Sequence, residues 1–541
     1  MKAKHSLLKV FALGLLLLFA AGCAPAVDPD VPVDPDVPPE DPFRVTVAQP
    51  AAQISWDPPQ DWTAMGEWII QNAYDYLFIR DAEGADWVPE LAYRWERKDE
   101  LTKRFWIEEG VKFHDGTELT TRDIKHLYRR IIEGPRELYI VTAQYDWIDR
   151  IDIIDDYTFD VVSHEPHALV MWQFAQTNNG AGIVSKDYFE EVGPEGVHRE
   201  PMGSGPWRLK SWARDEYVLF EANDDYWRGR PEFDELEYRI IPEASTRVAE
   251  MIVGNVDIVF EVLPEDEQRI NDAEGVGTDR VLSAQSWLLW PRIGPHPDFP
   301  GDPDLDREFT TGDVRIREAI ELAIDKKGLT EMEGGHGEPL RTRMARPLRY
   351  QKPEYHGDQA NLYDPEAAKA LIADAGYEPG EPHLVFDAME AAPAGDIARV
   401  ITDMLEEVGF SVDLQLHDES TFRSEVYHPR KHQEIFLHQL GGSLHPYFGT
   451  SNFPSERFEP EYGGAGSGIP ELDDLIQRAW TEVKDVDRRI EAYHNAMEII
   501  AEERLVIGLF QRSALWGISD RIEWTPRFDN DIYGWDIRPA E

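Results

Sequence analysis

Cysteine is almost missing from this chain: Cys23 is the only one in 541 residues, so no disulfide can form within it. Positive charge is also scarce. Lysine and arginine total 54 against 104 acidic residues, a formal net charge of −50 at pH 7. Such a chain is repelled by nucleic acid and by anionic membrane surfaces, which argues against a nucleic-acid partner. Arginine outnumbers lysine, and the acidic excess reads either as plain solubility or as a mark of a saline habitat. No apolar run reaches the ~20 residues of a membrane-spanning helix. HExxH, GxSxG, a P-loop and a dinucleotide fingerprint are all absent. No patterned carboxylate pair stands out for glycoside hydrolysis, though spacing along the chain does not exclude one.

What is present suits a large globular protein. The hydrophobic fraction is 42%, enough for a sizeable core, and the length allows about three to four domains at roughly 150 residues each. Residues 1–22 read as a leader, with Lys2, Lys4 and Lys9 ahead of and within an apolar run from Leu7 to Ala21. It ends Ala20-Ala21-Gly22-Cys23, which resembles a bacterial lipobox with Ala20 in place of the usual leucine. The resemblance implies cleavage before Cys23 and acyl chains on it, an anchor strengthened by ~0.8 kcal/mol per buried CH₂. Pro25 to Pro42 alternates proline with acids and reads as an extended tether completing residues 23–42.

Folded structure should begin near Phe43, with a strand to Ala48. A helix is expected from Trp68 to Leu77. Short strands are expected at Arg104 to Ile107 and Val111 to Phe113, and Thr120 with Asp123 resembles a capping box ahead of Ile124, Leu127, Tyr128 and Ile131. His164 and His167 are too poorly accompanied to read as a metal pair. The turn Gly203-Ser204-Gly205-Pro206 leads into strand candidates at Trp207 to Trp212, Tyr217 to Glu221 and Leu236 to Ile241. Later, a strand at Trp287 to Trp290 precedes helices from Asp313, from Asp364-Pro365 and around Ile397 to Val408, with strands at Ser411 to Leu416 and Leu505 to Phe510 and a helical pair across Glu471 to Glu503. The alternation argues for α/β structure.

These segments also carry a resemblance. Pro89-Glu90-Leu91-Ala92 followed by Gly110-Val111-Lys112-Phe113-His114-Asp115-Gly116, the turn Gly203 to Trp207 with Asn223 to Trp227, Ile241-Pro242-Glu243-Ala244-Ser245, and Asp364 to Tyr377 resemble family 5 of the bacterial extracellular solute-binding proteins, whose members serve ABC importers. The resemblance spans about residues 43–541. It implies an α/β, two-lobed periplasmic-binding-protein type II fold with an additional inserted domain. Lobe I would comprise 43–84, 200–285 and 512–541, the inserted domain 85–199, and lobe II 286–511. It further implies a monomeric, lipid-anchored cell-envelope receptor that captures a small solute, a peptide or an oligosaccharide, for ABC permease and ATPase subunits, without cofactor, metal or catalysis. A secreted carbohydrate-active enzyme and a solute sensor subunit are the alternatives.

In peptide-binding relatives a lobe II loop carries an aspartate that pairs with the peptide's ammonium. The matching position here is about Ser443, and no acid occurs from Ile435 to Pro454. The loop offers His438, Gln439, Ser443, His445 and Tyr447, neutral groups that suit hydroxylated ligands. Trp56, near the ligand through the Trp56-Asp57-Pro58 turn, and Trp290 and Trp516 as aromatic surfaces complete the expected site.

Overall fold

The computed structural model describes residues 41–541 apart from 54, 62, 82–85, 136–144, 176–181, 295–307, 347–349, 351, 428–433, 441–448, 452 and 454–466. Cys23 and the 1–22 leader therefore lie outside the described residues, as do Ser443, His445 and Tyr447.

The chain enters on β1 (Arg44–Gln49), and helix α1 (Ala64–Ile70) and the hairpin β2 (Phe78–Arg80) and β3 (Trp87–Pro89) follow. It then builds a four-stranded antiparallel sheet from β4 (Ala92–Arg97), β5 (Thr102–Ile107), β6 (Ile148–Asp155) and β7 (Thr158–Ser163), in the order β4-β5-β7-β6. Helix α2 (Thr121–Glu133) packs on this sheet. The Asp123 carboxylate takes the Thr120 N–H at 2.8 Å, completing the expected capping box, and Ile124, Leu127, Tyr128 and Ile131 are fully buried along one face.

The second sheet is larger. Its strands are β1, β8 (Trp207–Ala213), β9 (Tyr217–Ala222), β10 (Glu235–Ile240), β11 (Ile258–Val259), β12 (Val276–Pro291), β13 (Glu338–Pro339), β14 (His383–Met389), β15 (Ser411–His417), β16 (Ile435–Leu440) and β17 (Ile507–Ser519). The order is β15-β14-β16-β12-β17-β11-β1-β10-β9-β8, with β13 on β17. Parallel pairs such as β14 with β15 carry crossover helices, here α3 (Ala394–Glu407), as parallel strands require.

Two long antiparallel strands cross between the halves of this sheet. Val276 to Leu282 of β12 pairs with Ser513 to Ser519 of β17, beside β11. Ser286 to Pro291 of β12 pairs with β16 as well as with β17 residues from Gln511 back to Ile507. The register breaks between Leu282 and Ser286, a bulge that bends and twists the pair. Gln511, fully buried, pins the bulge: its side-chain amide donates to the Ser283 carbonyl at 2.8 Å and to the Arg346 carbonyl at 3.1 Å, and its oxygen accepts the Arg346 N–H at 3.1 Å. The Ala284 N–H donates to the Phe528 carbonyl at 2.9 Å.

The Gly203–Pro206 turn joins the two sheets. The Gly205 N–H donates to the Ala73 carbonyl at 3.1 Å, and a Cβ on Gly203 would lie 2.0 Å from that same oxygen. Only glycine permits this approach. On the other side, the His114 ring donates to the Gly205 carbonyl at 3.0 Å, and Asn223 donates to it at 3.1 Å. Burial holds the His114 ring near a pKa of about 4, so it sits neutral in this turn.

The same contacts explain a departure from expectation. The helix expected over Trp68 to Leu77 starts earlier, at Ala64, where the Thr63 hydroxyl accepts the Gly66 N–H at 3.1 Å. It stops at Ile70 because Trp207 and Gly205 claim the Asn72 and Ala73 carbonyls while the Asn72 side chain takes the Trp68 carbonyl at 2.7 Å. Val111 to Phe113 reduces to one bridge between Lys112 and Glu118. Trp287 to Trp290 is only the last part of the 16-residue β12.

Candidate ligand site at the crossing strands

Alternation along β12 and β16 decides which side chains meet. Leu288 and Trp290, with Phe436 and His438 opposite, share one face of the sheet and one core with Trp172, Tyr350 and Tyr493. Trp287 and Leu289, with Ile435 and Leu437, face a different core under the crossover helices. The Trp290 ring stacks between Phe436 and Phe453, each 6.2 Å away, with the Arg343 guanidinium 5.8 Å from its centre. The His438 ring stacks on Tyr427 at 4.2 Å and Phe422 at 5.9 Å. Trp290 and His438 are thus brought together.

Gln439 is not with them. It lies opposite Trp287 and donates to the Gln285 side-chain oxygen at 2.9 Å, which also accepts from Arg512 at 3.2 Å. Trp56 is fully buried edge-on to Trp212 and Phe220 beneath β9. Trp516 is fully buried among Trp68, Phe260 and Trp524. Both belong to the core beneath β1 and β10, away from Trp290.

Trp172, which the sequence marks only as an apolar interior residue, lies where the four-stranded sheet meets the far half of the large one. The Arg80 guanidinium stands 5.7 Å from its ring centre, and Tyr350 meets it edge-on at 6.3 Å. Beside it the Ala168 N–H donates to the Trp480 carbonyl at 2.7 Å.

An acidic group that no motif announces surrounds Arg80. Glu67 on α1 and Asp531 on the C-terminal segment face each other's charge, with Asp61 and Asp529 near. Asp531 is 5% exposed, and its Oδ1 accepts the Trp68 indole N–H at 3.0 Å. Its Oδ2 and the Glu67 Oε1 are shut off from solvent and, among the described residues, have no hydrogen-bond partner. Burial and then the neighbouring carboxylates push Asp531 up to about 8 and Glu67 well above its ordinary value. Arg527 is committed elsewhere: it binds both Asp529 oxygens, at 3.0 and 2.8 Å, and Asp536 at 3.3 Å. Arg80, Arg527 and Tyr533 also line a cavity of about 350 Å³ that continues to Tyr76, Glu90 and Arg228. Among the described residues no group of three or more His, Cys, Asp or Glu side chains is placed to hold a metal ion.

Comparison with known proteins agrees with this architecture. The dipeptide-binding protein of Escherichia coli strain K12 is 24% identical over 448 residues, covering 77% of this chain and 79% of its own. The crystal structure of a dipeptide-binding protein from Pseudoalteromonas sp. SM9913 in complex with Met-Leu superposes with a TM-score of 0.76 at 20% identity, covering 92% of this chain and all of that one. The oligopeptide-binding protein of Bacillus subtilis in complex with a nonapeptide gives a TM-score of 0.72 at 19% identity, covering 93% and 100%. The fold is accordingly the two-lobed type II periplasmic-binding-protein fold with an additional inserted domain. Residues 86–458 match the profile of the bacterial extracellular solute-binding proteins, family 5, middle region, and the chain belongs to that family.

Proposed function

We propose that this protein is a lipid-anchored receptor, held at Cys23, that encloses a small solute between its lobes and hands it to an ABC permease driven by separate ATPase subunits. The lobes would be 43–84 with 200–285 and 512–541, and 286–511, with the inserted domain at 85–199. The observation that carries the reading is the β12–β17 pair, which crosses from one half of the large sheet to the other at a bulge. Few-residue bends between rigid halves are the usual means of hinge closure. The ligand would lie against the Trp290, His438 and Trp172 face, with Ser443, His445 and Tyr447 supplying polar contacts. No helix among the described residues is long and apolar enough to cross a membrane.

Peptides are the favoured solute class, because the relatives compared above are named for dipeptides or hold peptides. Oligosaccharides are the second reading, supported by the missing acid from Ile435 to Pro454. A thermal-shift screen of the soluble chain against di- to pentapeptides, oligosaccharides and Ni²⁺ separates them. At 100 times its dissociation constant a ligand adds ~2.7 kcal/mol to stability. Peptide shifts support the first reading and oligosaccharide shifts the second. Hydrolysis of an oligosaccharide overturns both in favour of an enzyme.

A further inference from the structure

We propose that the cavity of about 350 Å³ edged by Arg80 and Arg527 is a second binding site, built for an uncharged, polyhydroxylated molecule the size of one sugar ring. Such a site goes beyond capture between the lobes. Its described lining residues fall within 71–90, 206–228 and 527–536, and none within 286–511. A ligand there shares no residue with the Trp290 and His438 face and does not bridge the lobes.

The cavity has a floor and a mouth. Asn72, Tyr74 and Tyr76 are 2, 1 and 4% exposed, whereas Arg228 and Asp536 stand open to solvent. The C-terminal segment is fastened to this floor. The Gln71 side chain donates to the Ile532 carbonyl at 3.0 Å, and the Asn72 side-chain oxygen accepts the Gly534 N–H at 2.9 Å. Tyr533 and Trp535 are thereby held at the wall, so the cavity is formed before any ligand arrives.

Its charges balance: Arg80, Arg228 and Arg527 are matched by Asp81, Glu90 and Asp536. An ion or a zwitterion would have to draw Arg228 from Glu90, or Arg527 from Asp529 and Asp536, leaving a charge stranded. A hydroxyl both donates and accepts, so it serves guanidinium and carboxylate without breaking those pairs. Two lining groups have capacity to spare. Glu90, 8% exposed at its side chain, accepts the Tyr76 N–H at 2.7 Å and Arg228 at 3.3 Å among the described residues, against about four acceptor sites on a carboxylate. The Tyr76 hydroxyl makes no hydrogen bond among the described residues, although a buried polar group normally has a partner. Beside them the Tyr226 and Trp535 rings meet edge-on, with centroids 5.2 Å apart, and supply apolar surface for the C–H face of a sugar. Ligand pockets run to about 300–1,000 Å³, and a volume at the small end sets the size at one ring.

Saturation-transfer NMR on the soluble chain tests this with methyl glycosides of glucose, galactose and mannose, with myo-inositol, and with L-alanine as the zwitterionic control. At least one hydroxylated probe should bind wild type saturably, and L-alanine should not displace it. Tyr76→Phe, which breaks no hydrogen bond among the described residues, should melt as wild type does and bind that probe ~10-fold more weakly. Glu90→Gln should weaken it by a similar factor. Trp290→Ala should leave it unchanged, and X-ray scattering should show no compaction, since the site lies outside 286–511. Unchanged affinity in Tyr76→Phe and Glu90→Gln, or loss in Trp290→Ala, would put the sugar elsewhere and overturn the inference. Binding of L-alanine alone, or of no probe, would overturn it too, with the peptide reading untouched in every case.

Discussion

The Arg130 guanidinium grips the Asp57 carboxylate through two bonds of 2.9 Å, one to each oxygen, with both side chains shielded from solvent. The pair ties α2 to the turn after β1, and Gln60 adds a third bond to Asp57 at 2.9 Å. A buried ion pair adds little against apolar residues of the same shape, but removing one partner strands a charge. Asp57→Ala should therefore cost ~3–5 kcal/mol in urea unfolding. Glu190→Ala, which breaks an exposed, solvent-screened pair with Lys186, should leave the urea midpoint nearly where it was.

The Gly203–Pro206 turn makes a sharper demand. Gly205→Ala would set a Cβ 2.6 Å from the Ala73 carbonyl carbon and the Tyr74 nitrogen, where backbone cannot yield. Gly110→Ala meets nothing within 4 Å and strains only its positive φ of 76°. Circular dichroism melts should show the first variant losing several times more stability than the second, which should lose ~1 kcal/mol.

Asp531 should make stability depend on pH in a definite direction. Its folded pKa, about 8, stands above the ~3.9 of an unfolded aspartate, so the folded protein binds this proton more tightly. Its contribution is then fully present below pH 4 and lost as pH rises toward 8. The charges of Glu67, Asp529, Arg80 and Arg527 lie beside it. The melting temperature of Asp531→Asn, relative to wild type, should therefore climb between pH 5 and 8. A constant difference would contradict the buried, proton-holding acid.

The excess of 104 acids over 54 bases should express itself as self-repulsion at low ionic strength. Raising NaCl from 0.1 to 1 M shortens the screening length from about 10 to about 3 Å and should raise the urea midpoint. A flat response would leave the acidic composition as a matter of solubility alone.

Much of the fold is legible in the chain because local signals coincide with tertiary ones. The Thr120–Asp123 box, the Asp313 and Asp364 caps, and Gly376 and Gly409 after their helices all act locally. The end of α1 was not legible, because it is set by carbonyls claimed from Gly205 and Trp207, more than 130 residues away. β12 was half hidden: Val276 to Leu282 carries Gly277, Thr278, Asp279 and Arg280, and only pairing with β17 makes it a strand. At the site, Trp290 and His438 follow from their residue types and strand alternation. Gln439, one residue on, falls on the opposite face. Glu67 and Asp531 were invisible, since one acid among 104 has no local mark and these two meet across 464 positions.

Small-angle X-ray scattering with and without ligand tests the central claim most directly. A peptide that raises the melting temperature should also shrink the radius of gyration in a saturable way, at the concentration where calorimetry shows binding. Binding with an unchanged radius of gyration from an open unliganded state would contradict capture by closure of the two lobes about β12 and β17.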